Sequence, residues 1–291
     1  MKKSDTVISK ILRIINVLST KLVYVQVKII AFSNEHYELV QLSGNPLGKI
    51  INIDENSFVA FKIKELLPRE EKNIRYKLAL ARKKKPVSLD LLKCSFNDMV
   101  SEKLYRVNRN AFSYATRRAR NVAERLKRKS KNILDFQTLL LQFFGRNIAC
   151  SYNDPIDPDS IFERNHGHPK DLTFAFSIFN MIAGIPSRLI EGYLIEKNNS
   201  KGHVKRHYWC EISIFDEWIP IDPCFRKILI PLPNNYIPIK VEHIGKRVRN
   251  VSTQFKSVKP TLRKAVRIEE EEIVLTVNLD SDPLIGKTKN I

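Results

Sequence analysis

Asn165 to Tyr193 reads NHGHPKDLTFAFSIFNMIAGIPSRLIEGY, and two further stretches follow it, HYWCEI from His207 to Ile212 and EWIPIDPC from Glu217 to Cys224. Within Lys170–Ala183, the residues Leu172, Phe174, Ala175, Ile178, Phe179, Met181 and Ile182 recur at helical spacing and predict a broad buried face. Pro169 suits the first helical position, where its missing N–H costs nothing, and Asp171 complements the helix dipole. Gly184 ends the helix and Pro186 prevents its return. Ser187–Leu194, Tyr208–Phe215 and Trp218–Asp222 then read as strands.

Four short motifs stand in order around that helix. They are Gly184-Ile185-Pro186-Ser187-Arg188, Gly192-Tyr193, His207-Tyr208-Trp209-Cys210-Glu211 and Trp218-Ile219-Pro220-Ile221-Asp222-Pro223. With them the chain resembles the transglutaminase-like superfamily, the papain-related fold of transglutaminases, peptide N-glycanases and bacterial and archaeal relatives, over roughly residues 105–230. The resemblance implies an α+β, papain-like core. It also implies a cysteine nucleophile at the helix N-terminus, fifteen residues before Gly184, with His207 as base and Asp222 holding its tautomer. That position is Pro169, which has no nucleophile. His168, Trp209 and Tyr193 are the residues expected to line the groove.

No other cysteine opens a helix beside the imidazole. Cys94 precedes the matched region, Cys150 lies near the end of the preceding helix, and Cys224 follows Asp222 past a proline. Cys210 stands three residues beyond His207 on one strand, so its side chain points to the opposite face. The leading expectation is a pseudoenzyme that keeps His207 and Asp222 as vestiges and binds another macromolecule, nucleic acid included. In lacking the cysteine and in being basic it is similar to the xeroderma pigmentosum group C type DNA-repair proteins, without their DNA-binding hairpin domains. Two alternatives stand beside it. One is an active cysteine peptidase or amidase with a displaced nucleophile. The other is a structural or assembly protein that meets acidic partners.

Charge supports the idea of a polyanionic partner, protein or nucleic acid. Fifty Lys and Arg residues against 31 Asp and Glu give a net charge of +19. The densest cluster is on a helix whose apolar stripe is Ala111, Ala115, Ala119, Val122 and Leu126. Its other faces carry Arg117, Arg118, Arg120, Arg125, Lys127 and Arg128, with Glu124 as the lone acid. A solvated helix face is the plain reading of the same pattern. His166, His168, His203 and His207 could be assembled into a zinc site, but no acidic or thiolate ligand stands at a standard spacing beside them, so no metal or other cofactor is assigned. Four unevenly spaced cysteines suggest no disulfide framework, which predicts a reducing, cytoplasmic setting.

The remaining chain divides by periodicity. Ile8, Ile11, Leu12, Ile15 and Leu18 predict an amphipathic helix over residues 1–20, too charged and short to span a bilayer. Residues 21–88 alternate, as in Val23, Val25, Val27 and Ile29, with turn signals between the runs, and predict a small β-sandwich in front of the core. The core is expected over 89–230 and a basic C-terminal extension over 231–291. That extension carries nine cations between Lys240 and Arg267 and a strand at Ile273–Leu279.

Overall fold

The computed structural model describes residues 6–83, 87–99, 115–156, 161–198, 201–244, 251–256 and 266–277. The chain divides into two compact units, Met1–Lys84 with Arg249–Ile291, and Lys85–Val248. The Ala111 end of the apolar stripe and six of the nine cations read between Lys240 and Arg267 lie outside the described residues.

The first unit begins with six strands, β1 Thr6–Asn16, β2 Leu22–Ser33, β3 Tyr37–Asn45, β4 Lys49–Ile53, β5 Asn56–Leu66 and β6 Glu71–Arg82. Two further strands of this unit, β14 Val251–Lys256 and β15 Val266–Val277, come from the far end of the sequence. They complete two four-stranded antiparallel sheets, in the orders β15-β1-β6-β3 and β14-β2-β5-β4. Phe61 of one sheet meets Tyr76 of the other at 5.4 Å between ring centroids, the packing of a sandwich.

Two expectations fail here. The described part of the expected N-terminal helix, from Thr6 on, is a strand: β1 alternates strictly between a buried and a half-exposed face. The buried face is Thr6, Ile8, Lys10, Leu12, Ile14 and Asn16, and its polar members hide the period of two from a hydrophobic count. Asn16 is satisfied inside by donating to the carbonyls of Thr20, Leu66 and Leu67. Nor is 231–291 one extension. Tyr236–His243 joins the sheet of the second unit, and β14 and β15 join the sandwich. Lys240, read as part of a basic run, is buried and paired with Glu242 at 2.8 Å.

The second unit opens with two short 3-10 turns at Leu89–Lys93 and Phe96–Met99. Helix α1 follows at Arg117–Lys129 and helix α2 at Ile133–Asn147. Strand β7 (Ala149–Cys150) pairs in parallel with β8 (His166–Gly167), and a helical turn at Ile161–Arg164 lies between them. Helix α3 is Pro169–Ile182. Then come β9 Ser187–Asn198, β10 Lys201–Ile214, β11 Glu217–Asp222, β12 Lys227–Ile228 and β13 Tyr236–His243, in the sheet order β12-β11-β10-β9-β13. No helix among the described residues is long and apolar enough to cross a membrane.

Helix α3 is buried on nearly every side, which is why its apolar pattern is so broad. It packs on one sheet face through Ala175, Ile178, Phe179 and Ile182 against Leu189, Cys210, Ile212 and Ile214. Phe144 of α2 packs edge-on against Phe176 and Phe179 at 5.3 and 5.5 Å. Gly184 has φ +88°, the left-handed conformation that closes the helix, and Lys127 Nζ donates to the Ala183 carbonyl at 2.7 Å.

Candidate functional site

The antiparallel register of β9 and β10 places Gly192 opposite His207, Ile190 opposite Trp209 and Arg188 opposite Glu211, on one face. Successive side chains alternate, so Tyr193, Tyr208 and Cys210 belong to the other. Each motif residue then has a physical task. Arg188 donates to Glu211 Oε2 through Nε at 2.8 Å and Nη2 at 2.6 Å, both side chains are buried, and the guanidinium lies 3.9 Å from the Trp218 ring centre. At Gly192 a Cβ would fall 2.3 Å from the Ile237 carbonyl oxygen and 2.6 Å from the Trp209 ring, so only glycine fits. Trp209 is fully buried and stacks on His207, with 6.3 Å between ring centroids.

His207 and Asp222 come together as expected. His207 Nε2 lies 2.6 Å from Asp222 Oδ2, and both side chains are fully buried. The other carboxylate oxygen accepts from the backbone N–H of Cys224 at 2.9 Å and of Phe225 at 3.1 Å. Tyr236, which the sequence did not single out, donates its hydroxyl to Oδ2 at 2.9 Å. A second unforeseen phenol closes the network: Tyr152 Oη lies 2.7 Å from His207 Nδ1. Burial and the charge of Asp222 push the pKa of both phenols well above the usual tyrosine value, so both remain O–H donors. With Nε2–H donating to the Asp222 carboxylate, the neutral imidazole accepts at Nδ1 from the Tyr152 O–H. Both imidazole nitrogens are therefore engaged.

The Tyr152 segment is held from three directions. Ser151 N donates to Gly167 O at 2.9 Å, which ties it to the start of α3. Lys205 Nζ sits 4.2 Å above the Tyr152 ring centre. A disulfide joins Cys150 to Cys224, with 5.6 Å between the Cα atoms, and so links the strand before Tyr152 to the turn after Asp222. This corrects the expectation that the cysteines stay unpaired, and with it goes the ground for assigning a reducing compartment. Neither Tyr152 nor the disulfide had a signal in the sequence: four cysteines allow three complete pairings and no spacing selects one.

Pro169 stands at the first position of α3, as read, and His168 is the N-cap. The His168 Nδ1 accepts from Lys170 N at 3.2 Å, while Asp171 accepts from His168 N at 3.3 Å. Burial holds the His168 imidazole below the usual histidine range. His168 does not meet His207 directly; Tyr152 stands between them, 6.3 Å from one ring and 5.9 Å from the other. His166 turns instead to Asp154, at 2.5 Å. Of the expected groove residues, Trp209 is packed in the interior and Tyr193 is buried on the far face of the sheet. The two cysteines outside the disulfide are poor nucleophiles, since burial pushes both thiols up, Cys210 most of all.

The basic residues of α1 separate into two groups. Arg117, Arg118, Arg120, Arg125 and Arg128 are exposed, and their side chains make no ion pair or hydrogen bond among the described residues. Lys127 is half-buried and committed to the Ala183 carbonyl and to the Phe96 ring, 4.9 Å away.

Residues 120–223 match the transglutaminase-like superfamily. The matched span holds α3, the His207–Asp222 pair and the Arg188–Glu211 pair. A comparison with curated proteins gave no match. Among solved structures, a candidate cysteine protease from Cytophaga hutchinsonii is similar at 15% identity and a TM-score of 0.54, over 94% of each chain. This likeness is one of fold and extends over both units. The periplasmic domain of TgpA from Pseudomonas aeruginosa is similar at 16% identity and a TM-score of 0.38, covering 75% of this chain and 88% of that one.

Proposed function

We propose that this chain is a transglutaminase-like module that is silent in acyl transfer and acts by binding another macromolecule. One observation carries the reading: the Tyr152 phenol fills His207 Nδ1, the nitrogen that would otherwise be open to a thiol, while α3 begins with a buried proline. A Cys–His pair works only if the imidazole can take the thiol proton. Here no cysteine stands at that helix start, and the imidazole lone pair is already an acceptor. The His207–Asp222 pair then serves the fold, as the buried polar centre between β10, β11 and the Tyr152 loop. The test is an assay with glutamine and peptide-amide donors, an amine acceptor and a thiol-alkylating probe. The expected result is no turnover and cysteine labelling that is indifferent to His207→Ala. Turnover abolished by His207→Ala would overturn the reading and favour a displaced nucleophile, in line with the protease description of the Cytophaga hutchinsonii protein.

The exposed arginines of α1 favour a polyanionic partner, nucleic acid first. Guanidinium forks match phosphate oxygens bidentately, and five stand unpaired along one helix. Anisotropy with duplex DNA over a salt series tests this. Each phosphate contact contributes about −0.9 to the slope of log affinity against log salt, so Arg125→Gln with Arg128→Gln should flatten it. Affinity that does not fall with salt would refute nucleic-acid binding and leave an acidic protein as the partner.

A further inference from the structure

The outer face of the sheet β15-β1-β6-β3 carries a cavity of about 430 Å³, built entirely within the sandwich unit. Register lays its lining out as a grid. Ser9, Lys77 and Ser43 stand in one row across β1, β6 and β3, and Ile11, Arg75 and Asn45 in the next but one. Lys10, Tyr76 and Gly44 form the row between them, with Lys10 and Tyr76 buried on the core side. Gly44 lets β3 lie close on β6, since a Cβ there would sit 2.7 Å from the Arg75 carbonyl oxygen. The Cα positions of Arg75 and Lys77 therefore stand about 7 Å apart along β6, and the backbones that carry Ser9, Ser43 and Asn45 lie about 5 Å to either side.

Neither Arg75 nor Lys77 has a side-chain partner among the described residues, and the same holds for Ser9, Ser43 and Asn45. The acidic position closest in register, Glu272 opposite Ile11 on β15, lies two strands from Arg75. The volume falls within the range of small-ligand sites. We infer that this groove binds an acidic oligosaccharide, with Arg75 and Lys77 taking two of its carboxylate or sulfate groups and Ser9, Ser43 and Asn45 its hydroxyls. The neutral side chains decide the class. Hydroxyl and amide groups both donate and accept, as sugar hydroxyls do, whereas the anionic oxygens of a phosphate chain only accept and would engage only the donors among them. The inference is independent of the His207 site and of α1.

Calorimetric titration of the full chain tests it, using an oligogalacturonate tetramer, a heparin-derived tetrasaccharide, maltotetraose and inorganic polyphosphate as probes. The expected result is binding of at least one acidic tetrasaccharide and none of maltotetraose. Arg75→Gln with Lys77→Gln should weaken that binding at least about tenfold, and Ser43→Ala about threefold, while Arg125→Gln with Arg128→Gln leaves it unchanged. All these residues are exposed, and circular dichroism checks that the variants fold. Three outcomes would overturn the assignment: no binding of either acidic saccharide, binding that tracks polyphosphate and net charge alone, or loss of binding in the α1 variant only.

Discussion

Arg188 on the core sheet and Arg125 on α1 carry the same group, and the fold treats them in opposite ways. Arg188 is buried, doubly bonded to Glu211 and stacked on Trp218. Arg125 is exposed and has no side-chain partner. The contrast extends to the regions around them. From β9 to β11 the charged and aromatic motif residues hold one another, and even His207 has both nitrogens engaged. Along α1 five arginines are left open although two of them cost the helix something: Arg117 and Arg118 sit in its first turn, where the dipole disfavours positive charge, and no acid accompanies them there. Charge that a fold neutralises internally is architecture; charge kept at a cost is available to a partner.

The largest effects should come from the neutralised region. Arg188→Ala leaves Glu211 buried without its counter-charge and should cost about 3–5 kcal/mol in urea unfolding, whereas Arg125→Ala should change stability by less than about 0.5 kcal/mol. Equal small costs would erase the contrast. Next comes the disulfide, which closes a sequence separation of 74 residues. Cys150→Ser with Cys224→Ser should destabilise by about 2–4 kcal/mol, and a reducing agent should lower the wild-type Tm while leaving the variant unaffected.

At the dyad the comparison is chemical. Pro169→Cys alone supplies a thiol at the helix start but leaves Tyr152 on the imidazole. Adding Tyr152→Phe frees Nδ1, and alkylation of the new thiol at pH 7 should then be about tenfold faster than in the single variant, as a thiol pKa drop of about one unit would give. Equal rates in the two variants would show that Tyr152 does not occlude the imidazole.

His168 gives a pH effect of about 1 kcal/mol, the usual worth of an N-cap. Its folded pKa lies below the unfolded value, so between the two the unfolded chain binds more protons and stability falls as pH drops. Asp171 opposes that depression, as does Asp154, while Lys170 and His207 reinforce it. The Tm should decline from pH 7 toward pH 5, and His168→Asn, which caps at any pH, should make the decline shallower. An unchanged slope would remove His168 from the account. The smallest effect has the opposite sign: Arg117→Gln with Arg118→Gln should stabilise by about 0.3–1 kcal/mol per residue while weakening polyanion binding.

The legible parts of this fold are those whose periodicity is local. Helix α3 and the strands after it announced themselves through Pro169, Gly184 and Pro186 and through apolar spacing, and the motif residues marked His207 and Asp222. The strand β1 was hidden because Ile8, Ile11, Leu12, Ile15 and Leu18 fit a helix, while Thr6, Lys10 and Asn16 occupy its buried face. Its conformation is decided by β6 and by β15, which pairs Thr6 with Val277. Tyr152 and Tyr236 were hidden for the same reason. Each reaches the dyad from a loop or strand brought there by long-range pairing, and nothing beside either in the sequence marks it.

The pairing of β1 with β15 also bears on how the protein is made. The second unit is continuous, Lys85–Val248, whereas the sandwich waits for strands that follow it in the chain. During synthesis the sandwich must hold two unfinished sheet edges, along β1 and β2, until the last strands leave the ribosome. The continuous unit has by then emerged whole, so it folds first and the first-made strands finish last.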